Sequence, residues 1–373
     1  MPEGDANPTT DELVALGLFD PDAPDASERL MLLELAVEHG AAIDEITLAL
    51  AQHRLHTLAG ELAVLAATKR ATFAELAANA GADPEFAERL WRAFGFADPG
   101  DEPLVCSEAD ENVLVLFTAL ADLFGRDTAL QIARTAGASL ARMADAAIGA
   151  VRARIEAPIR AQGGDDVDVA RRFVTLATEL VPRLYPMIEA VHRRHLAQAG
   201  RRFTLWELPA SETSTVFAVI GFADMVGFTA RTQELTPAAL DEFVRAFEDI
   251  VLATLTTAGA RLVKLIGDEA MFVAGTAADA ARIAAGILEG VAENRDLPPV
   301  KIGLAAGEVL VREGDIFGPA VNRAARLVAV ADPGTVVVDA EVASRLDGDA
   351  IEPLGPRELP GFDVPVEIFR VCG

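Results

Sequence analysis

The chain has 373 residues, of which 51% are hydrophobic and 24% charged, with a formal net charge of −26. That length allows two domains with separate cores, and the acidic balance, shared by both halves, excludes a protein that grips nucleic acid through a basic surface. No apolar run approaches the roughly 20 residues of a membrane span, and the amino terminus MPEGDANPTTDE lacks the basic and apolar parts of a signal peptide, so no transmembrane segment and a cytoplasmic location are expected.

Up to about residue 200 the sequence is rich in Ala, Leu, Glu and Arg, with apolar residues at helical spacing. The stretches SERLMLLELAVEHGAAIDEITLALAQHRLHTLAGELAVLAATKR and DENVLVLFTALADLFGRDTALQIARTAGASLARMADAAIGAVRARI read as helices on either side of the loop FADPGDEPLV. An all-α domain over 1–200 is predicted. It ends in a connecting helix over about 167–200, whose apolar stripe runs from Val169 through Phe173, Ala177, Leu180, Leu184 and Ile188 to Val191. Pro182 and Pro186 each remove a backbone donor and are predicted to kink or break it. Residues 201–214 read as a linker.

From 215 to 373 the texture changes. VFAVIGF, ARLVKLI, AMFVAG, VKIGLAAGEVL, GTVVVD and VEIFRV read as strands. TPAALDEFVRAFEDIVLATLTTAG, AADAARIAAGILEGVAEN and FGPAVNRAARLVAVA read as helices, the last opened by Pro319. Strands mixed with helices and one clear hairpin predict an α+β unit, a central sheet with helices packed on it.

Three segments of this half place polar residues in apolar surroundings. In GFADMVGFT, Asp224 follows a buried strand, and Gly227, Phe228 and Thr229 lead into a turn and helix whose free N–H groups suit phosphate. In KLIGDEAMF, Asp268 stands on the hairpin turn; a hairpin beside the first strand would bring it to Asp224, and two carboxylates can hold two metal ions on phosphate oxygens. In GDIFGPAVNRAARL, Asn322 and Arg326 share a helix face and Asp315 precedes that helix. Taken singly, Asp224 is also a good helix cap, Asp268 ordinary turn chemistry, and Asn322 with Arg326 a solvated face. Lys264 raises a sharper question, because the chain has only three lysines and this one lies in an apolar strand four residues before Asp268.

In order and spacing the three segments resemble the class III nucleotidyl cyclases, over about Thr215 to Gly373. The resemblance implies conversion of a nucleoside triphosphate to a 3′,5′-cyclic nucleotide and pyrophosphate. It implies two Mg²⁺ or Mn²⁺ ions on Asp224 and Asp268, with the Met225 carbonyl as a further ligand, Asn322 orienting the ribose, and Arg326 neutralising charge on the α-phosphate. It also implies that Lys264 and Asp315 read the base. An ammonium donating to adenine N1 and a carboxylate accepting from its N6 amine select ATP, because guanine leaves both groups unpaired. The family's head-to-tail pairing implies an obligate homodimer, with metal carboxylates from one subunit facing the base-reading and helix residues of the other. One departure stands at RELPGFDVP, where Pro360 precedes Gly361 in place of the lysine many relatives direct to the triphosphate. Arg357 or another arginine would have to substitute.

The helical half resembles the regulatory domain of soluble actinobacterial adenylate cyclases, which inhibits the catalytic dimer and responds to pH or fatty acids. All five histidines lie in it, and His192 and His195 flank Arg193 and Arg194 at the predicted end of the connecting helix, where protonation would gather four positive charges on one turn. Its Leu- and Ala-rich segments are compatible with a buried fatty acid. Two rival readings remain. TFAELAANAGADPEFAERLWRAFGF has the look of a DNA-binding helix-turn-helix, with Arg89 and Arg92 as its basic residues. IGDEA resembles the turn of diguanylate cyclases, against which stand Asp315, Asn322 and Arg326. No nucleic-acid partner is expected.

Overall fold

The computed structural model describes residues 9–66, 69–98, 100–205, 215–258, 260–312, 314–346 and 351–372. The chain divides into two units, Met1–His195 and Leu196–Gly373.

The first unit carries α1 (Thr10–Ala15), α2 (Ala26–Glu38), α3 (Ile43–Ala51), α4 (Leu55–Leu65), β1 (Lys69–Ala71), α5 (Phe73–Asn79), α6 (Pro84–Ala93), β2 (Leu104–Cys106), α7 (Glu108–Phe124), α8 (Arg126–Val151), a π-helical turn (Arg152–Glu156), α9 (Ala157–Ala161), α10 (Asp166–Glu179) and the start of α11 (Val181–Leu205). Side chains stop the backbone donors at several helix starts: Thr9, Thr72 and Asp165 each accept from the residue three positions on, while Glu12, Glu75 and Asp168 reach back. One apolar cluster joins α1 to α4 and receives Val167 and Ala170 from α10; a second joins α5 to α8. The unit is helical as predicted, with one small addition. β1 and β2 pair antiparallel over three residues each, too short for an alternating pattern to register in the sequence.

The connecting segment differs in detail from expectation. The break falls at Leu180, between α10 and α11, so Pro182 sits in the first turn of α11, where its missing donor costs little. Pro186 lies inside α11 without ending it. The helix continues to Leu205, which puts His192 and His195 mid-helix instead of at a helix end. The arginines of the would-be DNA-reading helix are also committed: Arg92 pairs with Asp98 at 2.8 Å, and Arg89 lies 3.8 Å from Asp127. The remainder of the expected linker, 206–214, lies outside the described residues.

The second unit is built on β3 (Thr215–Met225), α12 (Phe228–Thr232), α13 (Pro237–Ala258), β4 (Arg261–Ile266), β5 (Glu269–Ala274), α14 (Ala277–Glu293), β6 (Val300–Arg312), β7 (Asp315–Phe317), α15 (Pro319–Val330), β8 (Val336–Asp339), α16 (Ala340–Ala343), β9 (Ile351–Arg357) and β10 (Val366–Val371). The sheet runs β4-β5-β3-β6-β8-β10-β9, with β7 paired to the end of β6. β3 is antiparallel to both β5 and β6, and only β6–β8 is parallel. Alternation along β3 sorts its side chains: Val219, Ala223 and Met225 pack with α13 and α14, while Val216, Ala218, Ile220 and Phe222 face α15. β9 was not expected as a strand, because Pro353 and Pro356 interrupt it. As the edge strand it tolerates them, and the β10 register shifts beside them. No described helix is long and apolar enough to cross a membrane.

Candidate active site

Asp224, the penultimate residue of β3, stands directly opposite Glu269 on β5 and Lys301 on β6, so all three side chains leave the sheet on the α15 face. The β4–β5 turn holds Gly267 at φ +63°, a conformation that favours glycine, and delivers Asp268 to the same corner. There the Met225 N–H donates to the Asp268 carbonyl at 3.3 Å. Asp224 and Asp268 meet closely enough to share a hydrogen bond. Burial, the Asp268 charge and that bond push the Asp224 carboxyl up to about 6, with Lys301 pulling it back. Glu269 is raised as well, by burial and then by the charges of Asp224 and Asp268, against the pull of Lys264. Two acids crowded in this way gain from a cation placed between them.

The donor set is all oxygen, which suits a hard divalent ion. Among the described residues no group of three or more His, Cys, Asp or Glu side chains is arranged as a metal cage. An ion here would therefore take its remaining ligands from backbone carbonyls, solvent or the oxygens of a bound phosphate.

Lys264 and Asp315 are brought together from 51 residues apart, Nζ to Oδ2 at 2.6 Å. The β4–β5 register shifts between Leu262 and Lys264, a bulge that re-aims the lysine. Asp315 also accepts from the Ile316 N–H at 2.8 Å. Burial would raise its carboxyl, but the bonds from Lys264 and Ile316 outweigh this and hold it below the ordinary range.

Asn322 and Arg326 are exposed on α15, with no side-chain hydrogen bond or ion pair shown for either among the described residues. Gly227 takes φ +73° just before α12, with open space where a Cβ would stand, so backbone conformation and not crowding calls for glycine there. Phe228 stacks on Phe243 at 6.0 Å, fixing the start of α12. His192 and His195 are exposed on α11, in the first unit.

Sequence reasoning passed over Lys301 and gave Glu269 no role, although both face Asp224. Their positions follow from strand register, which the sequence does not state. Scarcity was the available signal, since two of the three lysines of the chain end in this site. Arg357, the expected substitute at the Pro360 departure, is exposed and donates to the adjacent Pro356 carbonyl.

The mixed sheet thus gathers crowded carboxylates, a lysine–aspartate pair and an exposed Asn–Arg helix face in one unit, a set of groups suited to a phosphorylated, polar substrate. Residues 7–199 match the family described as adenylate cyclase regulatory domain, and residues 210–369 that described as adenylate and guanylate cyclase catalytic domain. An uncharacterised protein of Mycobacterium tuberculosis is 35% identical over 97% of this chain and 93% of its own. An adenylate cyclase of Streptomyces coelicolor is 35% identical over 76% of this chain and 73% of its own. A pH-sensitive adenylate cyclase of M. tuberculosis is 29% identical over 92% and 88%. The chain belongs to the class III cyclases that carry an adenylate cyclase regulatory domain ahead of the catalytic domain.

Proposed function

We propose that the protein converts ATP to 3′,5′-cyclic AMP and pyrophosphate in a homodimer whose catalytic domains, 215–373, pair head to tail, under control of the helical domain, 1–200. The Lys264–Asp315 contact carries the choice of ATP: a donor and an acceptor side by side match the N1 and N6 edge of adenine, whereas guanine presents the opposite pattern to these half-buried groups.

Asp224, Asp268 and the Met225 carbonyl would hold two Mg²⁺ or Mn²⁺. Bound there, the ions supply neutralisation of the triphosphate charge and a lowered pKa for the ribose 3′-hydroxyl. The backbone N–H groups around Gly227, Phe228 and Thr229 receive phosphate oxygens. Lys301, set against Asp224, is the cation that stands in for the lysine missing at Pro360. Asn322 orients the ribose so that its 3′-oxygen faces the α-phosphorus. Arg326 binds the charge that grows on the α-phosphate oxygens as pyrophosphate leaves, which is catalysis by placement and electrostatics.

Dimer pairing is supported by the bareness of the Asn322–Arg326 face and by the apolar side chains beside the clusters, Ile266 at 53% and Phe317 at 49% exposure. The likeness to a pH-sensitive cyclase supports a regulatory domain that responds to protons, with His192 and His195 on α11 as candidate groups and a fatty acid as a candidate ligand. ATP and its metal ions assign the work to the cytoplasm.

Incubation with ATP or GTP and Mg²⁺ or Mn²⁺, followed by identification of the products, tests the reaction. Cyclic AMP from ATP is expected, and cyclic GMP formed from GTP at an equal rate would refute the base-reading role. For regulation, the pH–rate profile of the full chain is compared with that of residues 203–373; coincident profiles would remove the proton response from the helical domain.

A further inference from the structure

Asp339 is the single polar or charged side chain fully buried among the described residues, at 2% exposure. It ends β8 and uses both oxygens. Oδ1 accepts from the Val342 N–H at 2.9 Å, capping α16, and Oδ2 accepts from Arg323 Nε at 2.7 Å and from the Ala306 N–H at 3.4 Å. Arg323 completes the loop by donating through Nη2 to the Ala306 carbonyl at 3.1 Å. Removing two charges from water costs about as much as their attraction returns, so stability alone is a weak reason for a buried pair, and a geometric role deserves a test.

The geometry of α15 supplies that role. Arg323 lies between Asn322 and Arg326 in the sequence. At about 100° per residue, Asn322 and Arg326 stand about 40° apart on the helix, and Arg323 about 60° beyond Arg326. The helix depth is already set elsewhere. A Cβ on Gly303 of β6 would meet the Ala324 carbonyl oxygen at 2.5 Å and the Val328 nitrogen at 2.6 Å, so α15 rests backbone-to-backbone on the sheet. Close packing of that kind fixes distance but leaves rotation about the helix axis and sliding along it to other contacts. The forked guanidinium, held by β8 and β6 together, restrains both motions.

We propose that the Arg323–Asp339 pair is a positioning device that locks the rotation of α15 and so aims Asn322 and Arg326 at the substrate. The inference rests on the reading of those two residues as ribose and α-phosphate groups. Neither Arg323 nor Asp339 touches the substrate; both act through the helix.

The test measures cyclic AMP formation by the full chain against ATP concentration, at a temperature where circular dichroism shows each variant folded. Asp339→Asn keeps the shape of the acid and loses its charge. A misaimed pair of groups predicts a kcat lower by about 10- to 100-fold with KM within about threefold. In an Arg326→Ala background the same change should cost at least about threefold less than it costs in the parent, because one of the two groups it aims is gone. Arg323→Lys, which keeps the charge but not the fork, is read by the same two criteria and decides the matter if Asp339→Asn does not fold. A folded variant with kcat within twofold of the parent overturns the proposal, as does a loss that multiplies in full on Arg326→Ala. Asn322→Ala and Arg326→Ala alone separate the two levels. If neither lowers kcat, the reading of α15 is wrong; if both do and Asp339→Asn does not, only the positioning role fails.

Discussion

The two units of this chain differ in how their long elements are covered. In the catalytic unit the sheet is covered on both faces, and Gly303 and Gly221 make room for partners that a side chain would displace. In the helical unit α8 buries Ala129, Leu130, Ala133 and Gly137, all in its first half, while Leu140, Met143 and Ile148 further along are exposed at 41% or more. The contrast teaches where geometry is enforced. A catalytic site needs side chains held to fractions of an ångström, and a sheet packed on both faces offers that. A responding domain can leave more of its surface uncommitted.

The sharpest contrast is expected at the crowded acids. Asp224→Ala or Asp268→Ala should lower cyclic AMP formation by about 10³-fold or more, measured at saturating ATP and metal, because charge stabilisation on the phosphates is lost. Lys264→Glu, which puts two carboxylates where a 2.6 Å ion pair stood, should reduce kcat/KM for ATP by about 10²-fold or more while leaving the metal site in place. A similar loss from changing an exposed residue of α8 would erase the distinction between the units.

Packing gives the next largest difference. Gly303→Ala forces a methyl against the backbone of α15 and should cost about 3 kcal/mol in a denaturant titration, whereas Leu140→Ala, at 48% exposure, should change stability by less than about 0.5 kcal/mol.

The smallest effect concerns protons. Asp224 has a folded value of about 6, above its ordinary 3.8, so the folded state holds the proton more tightly than the unfolded state. Its contribution is therefore full below pH 4 and is lost as pH rises through 6. In chelator, Asp224→Asn should raise stability by about 1 kcal/mol at pH 8, after allowance for solvent screening, and by nearly nothing at pH 4. Thermal melts at the two pH values check the sign.

Much of the catalytic unit was legible because its strands and helices carry clean periods and its turns carry glycine. The segments around Asp224, Asp268 and Asn322 also read correctly as strand end, hairpin turn and helix face. What the sequence withheld depended on register and on distant partners. The juxtaposition of Lys301 with Asp224 is a property of β3–β6 pairing, and the burial of Asp339 depends on where α15 lies. The bulge before Lys264 shifts its aim without any glycine or proline to announce it. In the connecting segment Pro182 did mark a break, which falls two residues before it at Leu180, whereas Pro186 was absorbed within α11.

The central claim is that each site draws its acids from one subunit and its base-reading and helix residues from the other. Asp224→Ala and Arg326→Ala chains, each strongly impaired alone, are co-refolded or co-expressed in equal amounts and assayed for cyclic AMP. Head-to-tail pairing predicts recovery to about a quarter of the parent activity, since half the dimers are mixed and each mixed dimer holds one intact site. A mixture that stays as inactive as its components, with mixed dimers present by mass, would contradict the account.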